Sequence, residues 1–304
     1  MRTRQEVRLV LVLVLVLALD VTSRAVAGDP YVWDTSRRPA PRAGTKFAEE
    51  LEMAAVISKT LSHPGEEPTG QQKEQRENVR LVHSIGEVSP QGVTAEEIQV
   101  ERWSFAEKGY QPDSSLEGLR IVVKGTGKER TNSVEGARAP SRFAKAWIER
   151  DLLRPSARDP GLDELDLSFL FPKDKVSEGS GWKLDPQELA KGLLPPGDAI
   201  DAAKSSASGK LASVKVVNGV HVGHLEIMAD LALKNRERMV WDEGVVQRYR
   251  YVLDVSLEPD RRNDLSGTIT IELKGKGTLS QGGAPVEVVE EQSFTITLRR
   301  STVE

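Results

Sequence analysis

The sequence predicts an α+β or mainly β protein, built as two related halves of curved antiparallel sheet with one or two helices packed on the apolar face. Three observations lead to this fold class. Segments of the second half alternate strictly between apolar and polar residues, a hairpin signal joins two of them, and an internal repeat relates the two halves of the chain.

The N-terminus has the pattern of a secretory signal peptide. A start with three arginines precedes an unbroken apolar run, Leu9–Leu19, and the small-x-small sequence Ala25–Ala27 follows. A membrane anchor is the alternative, but this run rises only about 16 Å as a helix, against a hydrocarbon core of about 30 Å. We therefore expect residues 1–27 to be a signal peptide cleaved near Ala27, and the protein to be secreted or periplasmic.

Composition narrows the function further. The chain has no cysteine and a formal net charge of −4, with acidic and basic residues interspersed. The protein therefore forms no disulfides, and its stability has to come from a core. An acidic chain with mixed charges is a poor match for nucleic acid, whose binding depends on neutralising phosphates. We expect no nucleic-acid partner, no transmembrane segment and no cofactor.

The first third of the chain gives weaker signals. Residues 28–44 are rich in proline, arginine and glycine, which predicts an extended leader. Residues 45–61 have the alanine, leucine and glutamate content of a helix, although their apolar residues also alternate as in a strand. We interpret them as a helix. The polar residues 63–78 predict a charged loop.

Two further helices are predicted. One lies near residues 141–154, where Phe143 and Trp147 can share an apolar face. The other begins at Asp185, a good N-cap residue, and has Pro186 at its first helical position.

The second half gives the strongest strand signals. Asn218-Gly219 lies between valine-rich flanks, which is the favoured two-residue hairpin turn. Residues 245–258 alternate between apolar and polar side chains, and residues 267–279 and 294–300 do the same. A sheet that is apolar on one face and polar on the other is typical of antiparallel pairing.

An internal repeat links the two halves. The sequence VERWSF at Val100–Phe105 matches VQRYRY at Val246–Tyr251, and KGTG at Lys124–Gly127 matches KGKG at Lys274–Gly277. The matches occur in the same order at a spacing of about 150 residues, as expected for a duplicated unit. We therefore divide the chain after the leader into a first β-rich repeat, 45–175, and a second, 176–304.

The glycines of this repeat have two interpretations. They could cradle a phosphate, but the spacing of a P-loop is missing. Gly275 and Gly277 instead continue the apolar parity of their strand, as Gly125 and Gly127 do in the first copy. Glycine on the buried side of a strand marks a bend or a close approach by a neighbour. We predict that shape, and not phosphate binding, explains them.

No catalytic or metal-binding constellation is predicted. His221 and His224 are three residues apart on a strand, so they project to opposite faces and cannot share a metal ion. Three adjacent glutamate pairs could supply an acid and a base, but such pairs are more often surface charges. They are Glu49-Glu50, Glu96-Glu97 and Glu290-Glu291.

Aromatic residues on the apolar parity of the repeated strands are the candidate ligand-binding residues. Most such residues belong to a core, but they can also line the mouth of an apolar cavity between sheet and helices. Trp182, in a turn rich in proline and glycine, is a further candidate. The predicted set is Trp103, Phe105, Tyr249, Tyr251 and Trp182.

The punctuation of turns and strands resembles that of a group of secreted proteins. The residues FP…V..G.GW.L at Phe171–Leu184, then SGKLASVKVVNGVHVGHLEI and LSGTITIELKGKG, resemble β-rich proteins of uncharacterised function from planctomycete-type bacteria. The resemblance covers mainly residues 165–300. It implies an exported bacterial protein of β-rich fold, and it transfers no catalytic residue.

One favoured function and two alternatives fit these observations. The favoured hypothesis is an exported, non-catalytic envelope protein that binds an apolar ligand or another envelope component through a curved sheet. The alternatives are a hydrolase of cell-envelope material that uses paired carboxylates, and a purely structural or interaction protein.

Overall fold

Nearly all of the residues that the structure describes belong to one compact unit, Trp33–Glu304. The structure is a computed structural model, and the predicted signal peptide and most of the predicted leader lie outside its described residues. Those described residues are 32–33, 42–89, 92–125, 131–148, 167–194, 197–236, 239–258, 264–281 and 284–303.

Antiparallel strands dominate the described residues. In chain order they are β1 Val32–Trp33, β2 Lys46–Ser62, β3 Thr69–Ser89, β4 Gly92–Glu107, β5 Arg120–Lys124, β6 Thr131–Glu135, β7 Val176–Ser177, β8 Gly181–Lys183, β9 Ala199–Ile200, β10 Ser206–Val217, β11 Val220–Arg236, β12 Met239–Trp241, β13 Val246–Ser256, β14 Leu265–Gln281 and β15 Ala284–Thr302. All except β1 and β7 belong to one 13-stranded sheet. The predicted fold class, a mainly β protein with a curved antiparallel sheet and a helix or two, is confirmed.

Two α-helices accompany the sheet in the described part of the chain. Helix α1 is Arg142–Trp147 and helix α2 is Pro186–Leu193. Asp185 caps α2 as predicted, because its side chain accepts a hydrogen bond of 2.8 Å from the backbone N–H of Gln187. Short 3-10 helices are formed by Leu167–Leu170 and Ala202–Lys204.

The strand order places the two predicted repeats side by side in the same sheet. From one edge the order is β6, β5, β4, β3, β2, β15, β14, β13, β11, β10, β8, while β12 bridges β14 and β11, and β9 pairs with β11. The join is the pairing of β2 with β15, which runs from Phe47 opposite Thr302 to Ser62 opposite Glu287.

Two expectations for the first third of the chain were wrong. Residues 45–61 are strand β2 and not a helix, because β3 and β15 bind both of its edges along nearly its whole length. Such long-range pairing overrides a local helix preference. Much of the predicted loop 63–78 is the first half of β3, whose polar residues pair with the end of β2.

The pairing register defines an inner and an outer face of the sheet. Residues directly opposite each other project to the same side, so the buried Phe47, Leu81 and Leu298 belong to one face, which we call the inner face. The outer face carries polar side chains, for example the ion pair of Arg80 with Glu50 at 2.8 Å.

Glycines on the inner face allow neighbouring strands to approach closely. A Cβ atom on Gly275 would lie 2.4 Å from Val245 Cγ1, and one on Gly277 would lie 2.6 Å from the carbonyl oxygen of Val240. The predicted crowding at these two glycines is therefore confirmed. Gly125 instead follows β5 with a φ of +90°, and Gly127 lies outside the described residues. Gly275 and Gly277 lie within β14, and Gly125 lies between β5 and β6, so none of the three precedes a helix.

We predict that Gly277→Ala destabilises the protein by about 1–3 kcal/mol, because the added methyl group meets backbone atoms that cannot rotate away. Urea unfolding measures this change. The matched control is Gly70→Ala in β3, where the nearest atom to a new Cβ is 3.8 Å away. We expect the control to stay within about 0.5 kcal/mol of the parent protein. Equal losses in both variants would contradict the close approach at Gly277.

Candidate functional site

A strip of half-buried apolar side chains runs along the middle of the inner face. We call it the central strip, and it consists of Leu51, Met53, Ile57, Ile271, Phe294 and Ile296. Within it Met53 lies directly opposite Ile296, and Phe294 lies directly opposite Ile271. From Leu51 to Ile57 the strip extends about 20 Å at the rise of an antiparallel strand.

On one side of the central strip, helix α1 covers the inner face of β4. Trp147 packs edge-on against the buried Trp103 with ring centres 6.0 Å apart. Phe143 stacks on Phe105 at 4.1 Å. This end of the sheet also contains a large apolar cluster, against which Leu51 of the strip packs.

On the other side, helix α2 and the segment before it cover β10 to β13. The Tyr249 hydroxyl donates to the carbonyl oxygen of Leu193, at the end of α2, over 3.4 Å. Trp182 lies across Gly209, where a Cβ atom would come within 2.2 Å of the indole ring, and its Nε1 donates to the Leu170 carbonyl at 3.0 Å. The glycine leaves the space that the tryptophan occupies.

The structure places the five predicted ligand-binding residues in two separate groups. Trp103 and Phe105 are on β4, whereas Tyr249 and Tyr251 are on β13 and Trp182 is on β8. Five strand-to-strand steps separate β4 from β13, a path of about 24 Å along the sheet. Trp103, Tyr249 and Tyr251 are buried, and Phe105 and Trp182 are half-buried. The two groups flank the central strip and do not form it, and their role in binding stays a prediction.

Sequence reasoning missed the central strip itself. The alternation of Leu51, Met53 and Ile57 is visible in the sequence, but the alanine, leucine and glutamate content of this segment favours a helix. Assigning these residues to a strand would have identified half of the central strip. The other half, on β14 and β15, depends on a pairing between distant parts of the chain.

A buried polar cluster closes one end of the inner face. The Glu49 carboxylate accepts a hydrogen bond of 2.7 Å from Arg300, and Arg300 lies 5.0 Å from the ring centre of Phe47. On the other side of that ring, His83 stacks at 4.5 Å, and its Nδ1 lies 2.7 Å from the Glu96 carboxylate.

This cluster shifts the pKa of His83. Burial by itself lowers the pKa, whereas the hydrogen bond with Glu96 raises it. The negative charges of Glu96 and Glu49 raise it further, against the opposing charge of Arg300. The pKa of His83 consequently lies above its ordinary value, because its charged form is matched by the carboxylates around it.

A second polar cluster lies on the inner face near the other end of the strands. Arg236 donates to Asp198 and to Glu290, each at 3.0 Å, and its guanidinium carbon lies 5.5 Å from the ring centre of Trp241. Burial raises the pKa of the nearby Tyr249 well above its usual range. Two carboxylates thus converge here, but both bind the same arginine.

The adjacent glutamate pairs do not act as pairs. Neighbouring residues of a strand project to opposite faces, so each pair divides between the inner and the outer face. The expectation that all were surface charges was wrong for Glu96 and Glu290, which are buried. Both project to the inner face, where His83 and Arg236 provide their partners.

The histidines on β11 have separate partners, as their opposite parity predicts. His221 contacts Glu258 at 2.6 Å, whereas His224 contacts Asp254 at 2.8 Å. Within the described ranges, no group of three acidic or histidine side chains is placed to hold a metal ion.

A depression of about 230 Å³ on the outer face is lined by Ala48, Glu50, Arg80, Arg299 and Ser301. Its walls are mainly polar, and Arg80 already binds Glu50 and Glu101.

As for membrane spans, neither described helix has the length and apolar character that crossing a bilayer requires.

The raised pKa of His83 predicts a pH-dependent contribution to stability. Because the folded pKa lies above the unfolded value of about 6.5, the contribution is complete below that pH and is lost as the pH rises through the folded pKa. We expect the stability advantage of the parent protein over His83→Gln to shrink as the pH rises above about 6.5. Urea unfolding across this range measures it.

The control for this prediction is His63→Gln, which alters a histidine in the turn between β2 and β3. Comparing the two variants isolates the effect of the polar cluster around His83. A His83→Gln difference that stays constant or grows towards high pH would contradict a charged His83 in the folded state.

Comparisons with known proteins give no family for this chain. No family model matches it, and no curated protein does. Among solved structures, lipovitellin, in a structure of its lipid–protein interactions, aligns at a TM-score of 0.39 and 8% identity, over 86% of this chain and 26% of that one. DynF from the dynemicin pathway of Micromonospora chersina aligns at a TM-score of 0.16 and 9% identity, over 89% of this chain and 85% of that one. The toluene transporter TodX of P. putida aligns at a TM-score of 0.15 and 9% identity, over 88% of this chain and 94% of that one. These similarities are too low to carry an argument about function.

Proposed function

We propose that the protein is an exported, non-catalytic binding protein that holds an apolar ligand on the central strip. One observation carries this proposal. The two sides of the inner face are packed under helices and their flanking segments, whereas six large apolar side chains between them stay half-buried. Apolar surface left partly open in this way favours an apolar partner.

The apolar surface of the strip makes a favourable but modest contribution to binding. Covering on the order of 200 Å² of apolar surface, at about 25 cal/mol per Å², contributes about 5 kcal/mol before the cost of association. Phe105 on β4, two strands from β2, is half-buried and can add a contact at one side of the strip. A ligand lying along the strands would touch β2, β14 and β15 together.

Export and the lack of catalysis are parts of the proposal that the sequence supports. The basic start, the short apolar run and the small-x-small site before Gly28 support secretion or a periplasmic location. The hydrolase alternative requires a free pair of carboxylates. The two that converge at Arg236 are engaged by its guanidinium, so we favour binding over hydrolysis.

The experiment is a titration of the purified protein with an uncharged apolar fluorescent dye, together with mass spectrometry of lipids extracted from it. We expect Ile296→Asn to weaken dye binding about tenfold, because a polar amide replaces apolar contact surface worth on the order of 1.4 kcal/mol. The control is Thr297→Asn, the next residue on the same strand, which projects to the outer face.

Circular dichroism and urea unfolding confirm that both variants stay folded. If the two variants bind the dye equally, or if the parent protein binds none and carries no extractable apolar compound, the proposed function is wrong. Another envelope component would then be the remaining partner for the inner face.

A further inference from the structure

We propose, building on the function above, that the ligand is a long-chain fatty acid whose carboxylate binds Lys59 and Lys73. These two lysines lie where the apolar residues of the central strip end. The proposal therefore fixes both the chemical class of the ligand and its direction on the sheet.

The strand geometry places both lysines on the inner face. Lys59 is two residues beyond Ile57 on β2, and alternate residues of a strand share a face. Lys73 lies directly opposite Ile57 on β3. The pairing of β2 with β3 has no register shift, so this assignment holds along the strands. Two ammonium groups thus stand beside the last apolar residue of the strip.

Neither lysine is neutralised by a bound carboxylate within the described part of the chain. By contrast, Lys108, which follows β4, pairs with Glu74 at 2.6 Å, and Lys276 on β14 pairs with Glu287 at 2.6 Å. Lys59 is half-buried and Lys73 is exposed. Cations that adjoin an apolar surface complement an amphiphile with an anionic head group.

Acidic side chains near the lysines decide which anion fits. Glu290 lies directly opposite Lys59, but its carboxylate already accepts hydrogen bonds from Arg236 and Gln292. Glu107 on β4 lies directly opposite Gln75, which is two residues from Lys73 on β3, and it accepts a hydrogen bond of 2.7 Å from Gln75. These two carboxylates offset much of the attraction of the lysines, so the larger desolvation cost of a doubly charged phosphate is less well compensated than that of a singly charged carboxylate. We therefore assign a carboxylate head group.

The opposite end of the strip explains the direction of the ligand. There Arg300 is bound to Glu49 and is only 6% exposed, so it offers no cation to a ligand. The head group consequently lies at Lys59 and Lys73, and the tail runs towards Leu51. The strip is about 20 Å long, and one leaflet of a bilayer core is about 15 Å thick, so it accommodates a full acyl chain.

The test compares three ligands of equal chain length, a fatty acid, the corresponding alcohol and the corresponding amine, by displacement of the bound fluorescent dye below micellar concentrations. For the parent protein we expect the acid to bind most tightly and the amine most weakly. In the Lys59→Gln/Lys73→Gln double variant we expect acid binding to weaken about fivefold to tenfold and alcohol binding to stay unchanged.

The matched control is Lys210→Gln/Lys215→Gln, which removes the same charge from exposed positions of β10. It should leave the preference for the acid intact. Added salt should reduce that preference in the parent protein, because partly exposed charges are screened.

The outcomes separate this inference from the proposed function. If acid and alcohol bind equally, or if the double variant loses no more than the control, the head-group assignment is overturned while apolar binding stands. Tighter binding of the amine would overturn it too, by identifying the glutamates as the head-group site. If none of the three ligands binds the parent protein, the proposed function fails together with this inference.

Discussion

The pairing of β2 with β15 is the interaction on which the rest of the structure depends. It brings together segments from opposite ends of the chain, so that the hydrogen bond between Arg300 and Glu49 spans 251 positions. Without this pairing the sheet would separate into two smaller sheets with exposed edges, which invite aggregation. Closing so long a loop is entropically costly, so we expect this pairing to form late in folding.

The same pairing creates the surface proposed to bind a ligand. Helices cover the inner face on both sides of the join, whereas the join itself carries the half-buried central strip. Buried ion pairs near the ends of the strands, at Glu49 and Arg300 and at Asp198 and Arg236, keep the apolar region bounded. Such pairs contribute little net stability, but unpaired burial of either partner is costly, which disfavours other registers.

The sequence was sufficient for the elements that local chemistry determines. The Asn218-Gly219 hairpin, the alternation of β13 and the cap of α2 at Asp185 each depend on residues close together in the chain. Local chemistry does not determine strand β2 in this way. Its composition favours a helix, its alternation alone does not decide between the two structures, and its distant partners make it a strand. The central strip was missed for the same reason, whereas the aromatic residues flanking it were found because they belong to recognisable strands.

The proposed head-group site differs from these structural features in what it contributes to the fold. Arg236 and Arg300 stabilise buried carboxylates, so their loss would disturb both folding and binding. Lys59 and Lys73 form no such bond within the described residues, and they flank Ile57, the last residue of the central strip on β2. A cation that does not stabilise the fold can be replaced at little cost in stability. Changes in ligand preference after their substitution therefore report on binding itself, which makes these two lysines the most direct test of how the sheet is used.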